Sequence, residues 1–419
     1  MTTPRYVEPV GDERAGWHTE EEGKSSSYTV RLPTAWETFL KEEGIPITRG
    51  VGVRDSRDLP RVDWPRMGGK AHFFQLINMN NSWWIYTIEV AARGALKPQR
   101  HMYEERYIVL EGRGSVEVWQ NGTSVKTAFE YQPWSVFSIP LNANYQIINS
   151  SSSPAILLAC NNAPRVINQY QDEDFIWHSE FNFQKRWGGN PEDYWKPAED
   201  FEPQPVRGRA MTSGNLIPDV STAYLPLDNN RGPGHRWVAP NMVGNTQIQG
   251  WIAEHMAGRY AKAHAHGGGA ILVCLSGKGY SIAWPQSEGI TPWKDGKGDL
   301  VKMTEYWPGG LVSAAPGPAN WYHQHFAFSK DPFRIFLYTA GVPGNPSGGG
   351  MGGGEERQEG ELITQHAELG RGGNAIPYHM EDPYVREYFL SRLKEEDAPF
   401  TMPPEVYTEA GKNIEVMSD

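Results

Sequence analysis

The 419-residue sequence predicts an all-β protein built from two similar domains, and three observations carry that reading. Gly 45, Pro 32 and 12% aromatic residues favour short strands and tight turns over helices. A stretch of the first half recurs in the second. Two His-x-His pairs, His264-Ala-His266 and His323-Gln-His325, lie in the second copy. Side chains alternate faces along a strand, so each pair projects to one side.

Residues 1–69 read as an N-terminal arm with one short helix over 34–43, entered just after Pro33. Residues 70–187 form the first domain, with strands expected over 106–110, 116–119, 135–139, 145–148 and 155–159. Residues 188–244 are polar and Pro-rich and read as the connection. Residues 245–345 form the second domain, with strands over 270–275, 281–284, 310–315, 322–328 and 333–339. Residues 346–419 read as a Gly-rich loop followed by a helical arm, whose helix covers 382–394 with Pro383 near its start. In each domain one apolar run closes on a glycine turn, Gly112-Arg-Gly114 or Gly277-Lys-Gly279, which calls for positive φ.

The repeat fixes the correspondence between domains. Residues 99–119 align on 264–284 without gaps, placing Gly112 on Gly277 and Trp119 on Trp284. Residues 140–145 align on 318–323, placing Tyr145 on His323. The second copy carries a longer hairpin over 285–310. A duplicated unit implies two similar domains.

Composition excludes some partners. Lys+Arg 39 against Asp+Glu 50 gives a net charge of −11, which disfavours nucleic acid and anionic membranes. Cys160 and Cys274 sit in apolar runs and are expected as buried free thiols, in keeping with a reducing cytoplasm. The first residues, from Met1 to Tyr6, carry no apolar run of the kind a secretory leader has, so none is expected, and no stretch reaches transmembrane length. A cytoplasmic homo-oligomer is expected, with the N-terminal segment and C-terminal arm covering open sheet edges in cis or in trans.

Four of the 12 His fall in the two pairs. Imidazoles converging on one interior point to a transition metal, although a single barrel His is more often a packed core residue.

The repeat resembles the cupin superfamily, whose fold is a double-stranded β-helix (jelly-roll) barrel. Gly258, His264, His266 and Gly277 match its first motif, with Ala270 at the glutamate position; Pro318 and His323 match its second. In the first unit Gln99, His101, Glu105 and Tyr145 stand at the four ligand positions, the remnant of a second site. The run from Gln99 to Gly112 is similar to gentisate dioxygenases, which are bicupins that bind Fe(II) through three His. Here the intact triad lies in the second barrel rather than the first.

The resemblance implies His264, His266 and His323 as metal ligands. Fe(II) is the metal expected first, with Mn, Zn or Ni as alternatives. Three neutral imidazoles leave open positions for a small anionic organic substrate and O₂. The resemblance thus implies a dioxygenase acting on a small aromatic or enolisable carboxylate. A lyase, isomerase or decarboxylase using the same site is one alternative, and a non-catalytic binding protein is another. His325 points inward like His323 and is read as a catalytic acid/base or supporting donor, with ligation as the other option. Trp284, Tyr280 and Trp321 are candidates to line the substrate pocket, and Arg259 or Arg334 to clamp a carboxylate.

Overall fold

The computed structural model describes residues 33–77, 79, 83–196, 202–203, 210–242, 248–266, 270–316, 320–342, 345–349 and 367–408. Expectations for residues 1–32 of the N-terminal arm, for Pro318 and for residues 350–366 of the Gly-rich loop lie outside the described residues. The chain divides into two units, 1–44 and 45–419. In the first unit, helix α1 (Ala35–Glu43) is closed by a capping box. The Glu37 amide donates to Thr34 Oγ1 at 3.2 Å, and the Thr34 amide donates to the Glu37 carboxylate at 2.8 Å. Gly44, at φ 66°, ends the helix.

The second unit is mainly β, with two β-sandwich barrels and few helices. It opens with β1 (Ile47–Gly50), β2 (Gly52–Val53) and β3 (Val62–Trp64). The first barrel follows as β4 (Gly69–Leu76), β5 (Trp84–Val90), β6 (Glu105–Glu111), β7 (Gly114–Trp119), β8 (Thr127–Tyr131), β9 (Val136–Ile139), β10 (Asn144–Asn149) and β11 (Ala155–Asn161). The connection holds α2 (Ala163–Tyr170), α3 (Glu173–His178), α4 (Glu192–Trp195), β12 (Glu202–Pro203), β13 (Ala210–Ser213) and β14 (Leu216–Ile217). The second barrel comprises β15 (Arg236–Asn241), β16 (Ile248–His255), β17 (His264–His266), β18 (Ile271–Ser276), β19 (Gly279–Pro285), β20 (Lys302–Tyr306), β21 (Leu311–Ser313), β22 (Trp321–Ala327) and β23 (Phe333–Val342). Strand β24 (Asn345–Gly349) and helix α5 (Pro383–Glu395) complete the chain.

Each barrel pairs a large sheet with a small one. The small sheets are ordered β10-β7-β8 and β17-β22-β19-β20. The central strands of the large sheets are β4-β5-β11-β6-β9 and β15-β16-β23-β18-β21. In β7 and β10 buried residues alternate with partly exposed ones, as one wet face requires. Strand β11 and nearly all of β18 are buried on both faces, because the large sheets pack against each other. Phe74, Ile108, Leu158 and Cys160 of the first barrel meet Ile252, Val273, Phe336 and Tyr338 of the second in one apolar cluster. Double burial is why these strands read as unbroken apolar runs. Both cysteines are free and buried. The turn glycines adopt the expected backbone, Gly112 at φ 91° and Gly277 at φ 70°.

Residues 45–64 do more than form an arm. Strands β1 and β3 pair with β4 of the first barrel, while β2 pairs with β21 of the second. The segment covers an edge of each large sheet in cis. The connection likewise supplies strands, β14 to the first large sheet and β12–β13 to the second. The start of the Gly-rich loop is a strand, β24, folded back on β23. Backbone pairing needs no side chains, so composition alone misses it.

The C-terminal arm covers the ligand strand. The Ala265 amide donates to Asn374 O at 3.1 Å and the Ile376 amide to Ala263 O at 2.7 Å, closing the free edge of β17. Helix α5, capped by Asp382, lays Val385, Phe389 and Leu393 on Tyr260, Tyr280, Phe326 and Phe328. Glu381, just before the helix, accepts from Tyr260 Oη at 2.5 Å and from Gln324 Nε2 at 3.3 Å. Burial pushes its carboxyl up to about 8, against the opposing hydrogen bonds of Tyr260 and Gln324. A carboxyl raised on folding is protonated in the folded chain over a range where the unfolded chain has ionised. Its stabilising share is therefore complete below about pH 4, the unfolded value, and is lost as pH rises through the folded value. Melting temperature is expected to fall between pH 5 and 8, and residues 367–408 to exchange amide hydrogens faster at pH 8 than at pH 5. Glu381→Gln should flatten both dependences; an unchanged slope in that variant would assign the effect elsewhere.

Candidate metal centre

Strand register builds the cluster. His264 of β17 lies opposite His323 of β22, and His266 opposite Trp321. On β22, residues 321, 323 and 325 share the inward face, while Tyr322, Gln324 and Phe326 face out. Ring centroids of His264 and His266 lie 4.2 and 4.4 Å from that of His323. Ligand atoms of the three all fall within 4.8 Å of one another, and all three side chains are buried. His264 Nδ1 faces Lys262 O and His323 Nδ1 faces Trp321 O, each at a long 3.4 Å. A proton on Nδ1 leaves Nε2 as the ligating atom. Burial first, then the neighbouring His266, His325 and Arg231, hold His323 well below the usual imidazole range. The ring is neutral at pH 7, as ligation requires. Ala270, at the motif's glutamate position, lies in the apolar interior and adds no carboxylate. The set fits a divalent metal.

His325 stands one step deeper. Its ring centroid is 5.4 Å from that of His323, and Nδ1 meets Ser281 Oγ at 2.7 Å and Tyr306 Oη at 3.3 Å. This tether separates it from the triad, and the register keeps His323 as the third member.

The other expected residues scatter. Trp321 is half-buried and shares the inward face with His323. Tyr280 and Trp284 face outward, contrary to expectation, because on β19 it is Ser281 and Ala283 that lie opposite His325 and His323. Tyr280 stacks on Phe326 at 4.3 Å and meets Tyr388 of α5, and Trp284 packs on Tyr322 and Trp293. Arg259 does not serve as a clamp in the barrel: its Nε donates to Thr401 Oγ1 at 3.3 Å, in the C-terminal arm. Arg334 is taken by Glu254 at 2.7 Å and by the carbonyls of Val220 and Ala223.

Sequence reasoning missed three interior groups. His255 ends β16, with its ring 6.3 Å from that of His325. His235 lies 4.8 Å beyond it. Arg231, from the connection, enters the same interior, and its charge bears on His255, His323 and His325. Alternation of Trp251, Ala253 and His255 on β16 is a signal that could have found His255; nothing local marks Arg231.

The equivalent positions of the first barrel carry a different device. Gln99 pairs with Tyr145 as His264 does with His323, which confirms the repeat in three dimensions. The Gln99 side chain turns away to the carbonyls of Arg66 and Lys97. Glu105, fully buried, accepts from Tyr86 and Tyr107 at 2.7 Å, Tyr145 at 2.6 Å, Asn161 at 2.9 Å and His101 Nε2 at 3.1 Å. His101 Nδ1 donates to Tyr103 O at 2.8 Å. Burial opposes ionisation of Glu105, but the His101 hydrogen bond and charge, with the tyrosine hydroxyls, outweigh it and hold the carboxyl below its usual range. Three of the four would-be ligands, His101, Glu105 and Tyr145, satisfy one another.

No family model and no curated protein sequence matches the chain. Similar solved structures include the oxalate decarboxylase of Lactobacillus farciminis in a formate complex, at 10% identity and TM-score 0.42, covering 69% of this chain and 86% of that one. The 11S allergen of Cocos nucifera is 14% identical with TM-score 0.45, covering 69% and 89%. The Bacillus subtilis oxalate decarboxylase studied for its Mn(II) centres is 11% identical with TM-score 0.42, covering 75% and 85%. Among the described residues no helix is long and apolar enough to cross a membrane.

Proposed function

We propose that the second barrel is an Fe(II) dioxygenase site for a small aromatic or enolisable carboxylate. The observation that supports this reading is the buried group His264, His266 and His323, with Ala270 where a fourth, carboxylate ligand would stand. A ferrous ion held there would supply redox chemistry and open positions for substrate and O₂. The chain's own residues do the rest. Three neutral imidazoles leave the ion's full positive charge, which attracts an anionic chelator. Trp321 presents a flat aromatic surface on the inward face, suited to orienting a planar substrate. His325, oriented by Ser281 and Tyr306, can hold or accept a proton beside the reacting atoms.

That same tethered His325 favours a second reading, an O₂-independent lyase, isomerase or decarboxylase with Mn, Zn or Ni. Oxygen uptake separates the two. Reconstituted with Fe(II) and offered gentisate, salicylate, hydroxyanthranilate or a simple β-diketone, the chain is expected to consume about one O₂ per product with at least one substrate class. Turnover without oxygen uptake would give the second reading; binding without turnover would leave a small-molecule-binding protein.

A further inference from the structure

We propose that residues 367–408 form a strap that locks the ligand strand β17, and that release of the strap is the step by which an ion enters or leaves the triad. This rests on the metal reading above and adds how the site opens and closes.

The triad is buried, so an ion exchanges only when part of the barrel opens. The weakest support of the triad is β17. It has three residues and stands at the edge of the small sheet, paired among the described strands with β22. A short edge strand frays before the centre of its sheet. His264 and His266 both lie on β17, so its opening withdraws two of the three ligands together.

The strap holds that edge shut. His264 bridges to Ala375, and the bonds of Ala265 to Asn374 and of Ile376 to Ala263 flank the bridge. The loop presenting these groups is closed on itself. The Leu369 amide donates to Ala375 O at 2.9 Å and the Ala375 amide to Ala367 O at 3.0 Å. An added Cβ at Gly373 would lie 1.9 Å from Ala367 O, so the turn needs glycine there. Lys262, two residues ahead of His264, pairs with Glu368 at 3.1 Å.

A second hold falls on β22. Gln324, between His323 and His325, donates to Ala261 O at 2.9 Å and to Glu381 at 3.3 Å. Tyr378 Oη donates to Tyr260 O at 2.7 Å. Phe389 seats the strap: it is fully buried, with its ring 5.0 Å from that of Tyr260 and 5.6 Å from that of Phe326. The strap therefore grips both ligand strands at an edge and on an outward face. It can leave while β22 stays paired with β19, and β23 with β16 and β18.

The test loads full-length chains with Zn(II) and follows zinc release into excess chelator, with amide exchange of residues 263–266 and 374–376 measured alongside. Phe389→Ala is expected to bind the same amount of zinc and release it roughly 10- to 100-fold faster, with both segments exchanging faster in step. Tyr378→Phe, which removes one hydrogen bond, should speed release by about 2- to 10-fold. Phe129→Ala makes the same deletion in the first barrel and should leave release unchanged. Unchanged release in Phe389→Ala and Tyr378→Phe, equally fast release in Phe129→Ala, or faster release without faster exchange at 263–266 would overturn the inference. If wild type takes up no zinc, the metal reading fails and the inference with it; zinc held but released at an unaltered rate overturns the strap alone. If Phe389→Ala does not fold, the same comparison is read from Tyr378→Phe.

Discussion

His264→Ala is expected to lower the metal content of the purified chain from about one ion to near none and to reduce turnover to background. Removing even a group that only orients a ligand costs about 10- to 100-fold in metal affinity, so losing one of three direct ligands should cost about 100-fold or more. The triad is buried, and water reaches it poorly to replace a missing imidazole. Stability gives an independent readout. A metal present at about 100 times its Kd stabilises the folded chain by roughly 2.7 kcal/mol. Wild type should melt higher with added metal and His264→Ala should not respond. His266→Ala and His323→Ala should behave alike. His325→Ala should retain the metal response and lose turnover, because its ring is tied to Ser281 at 2.7 Å rather than to the triad. A chain that binds metal equally well without His264 would remove the basis of the proposed function.

The triad was legible because its information is local. His264 and His266 share one strand, a glycine turn at Gly277 fixes the repeat, and His323 sits at a matching position of a second strand. What register alone decides was not legible. Tyr280 and Trp284 flank Ser281 and Ala283, and only the pairing of β19 with β22 tells which pair faces the histidines. Arg231 and His255 reach the site from the connection and from a strand that sequence patterning did not delimit. In the first barrel the alternation of Glu105 and Tyr107 on β6 was readable, but Tyr86 comes from β5 and Asn161 from the end of β11. The fold itself was more legible than its edges, since β1, β2 and the C-terminal residues 374–376 join existing sheets by backbone alone.

The two barrels solve one problem in opposite ways, and Glu105→Ala tests the first of them. A barrel interior with polar residues at ligand positions needs a partner for each polar atom. In the second barrel a metal would meet three imidazoles. In the first, a carboxylate stands at the centre and gathers the hydroxyls of Tyr86, Tyr107 and Tyr145, the Asn161 amide and the His101 imidazole. Both ring nitrogens of His101 face oxygens, Nδ1 the Tyr103 carbonyl at 2.8 Å and Nε2 the Glu105 carboxylate at 3.1 Å and Tyr145 Oη at 3.2 Å. Removing the carboxylate strands these donors in a cavity, and breaking a buried pair of this kind costs about 3–5 kcal/mol. Glu105→Gln, which fills the space but brings a donor where acceptors are needed, should cost about half as much. Equilibrium denaturation measures both, and metal content should remain that of wild type. If Glu105→Ala instead lowered metal content with little loss of stability in metal-free protein, Glu105 would be a ligand and the first barrel a second metal site. The direction of that result therefore decides whether the duplicated barrel has exchanged its metal for a hydrogen-bonded carboxylate.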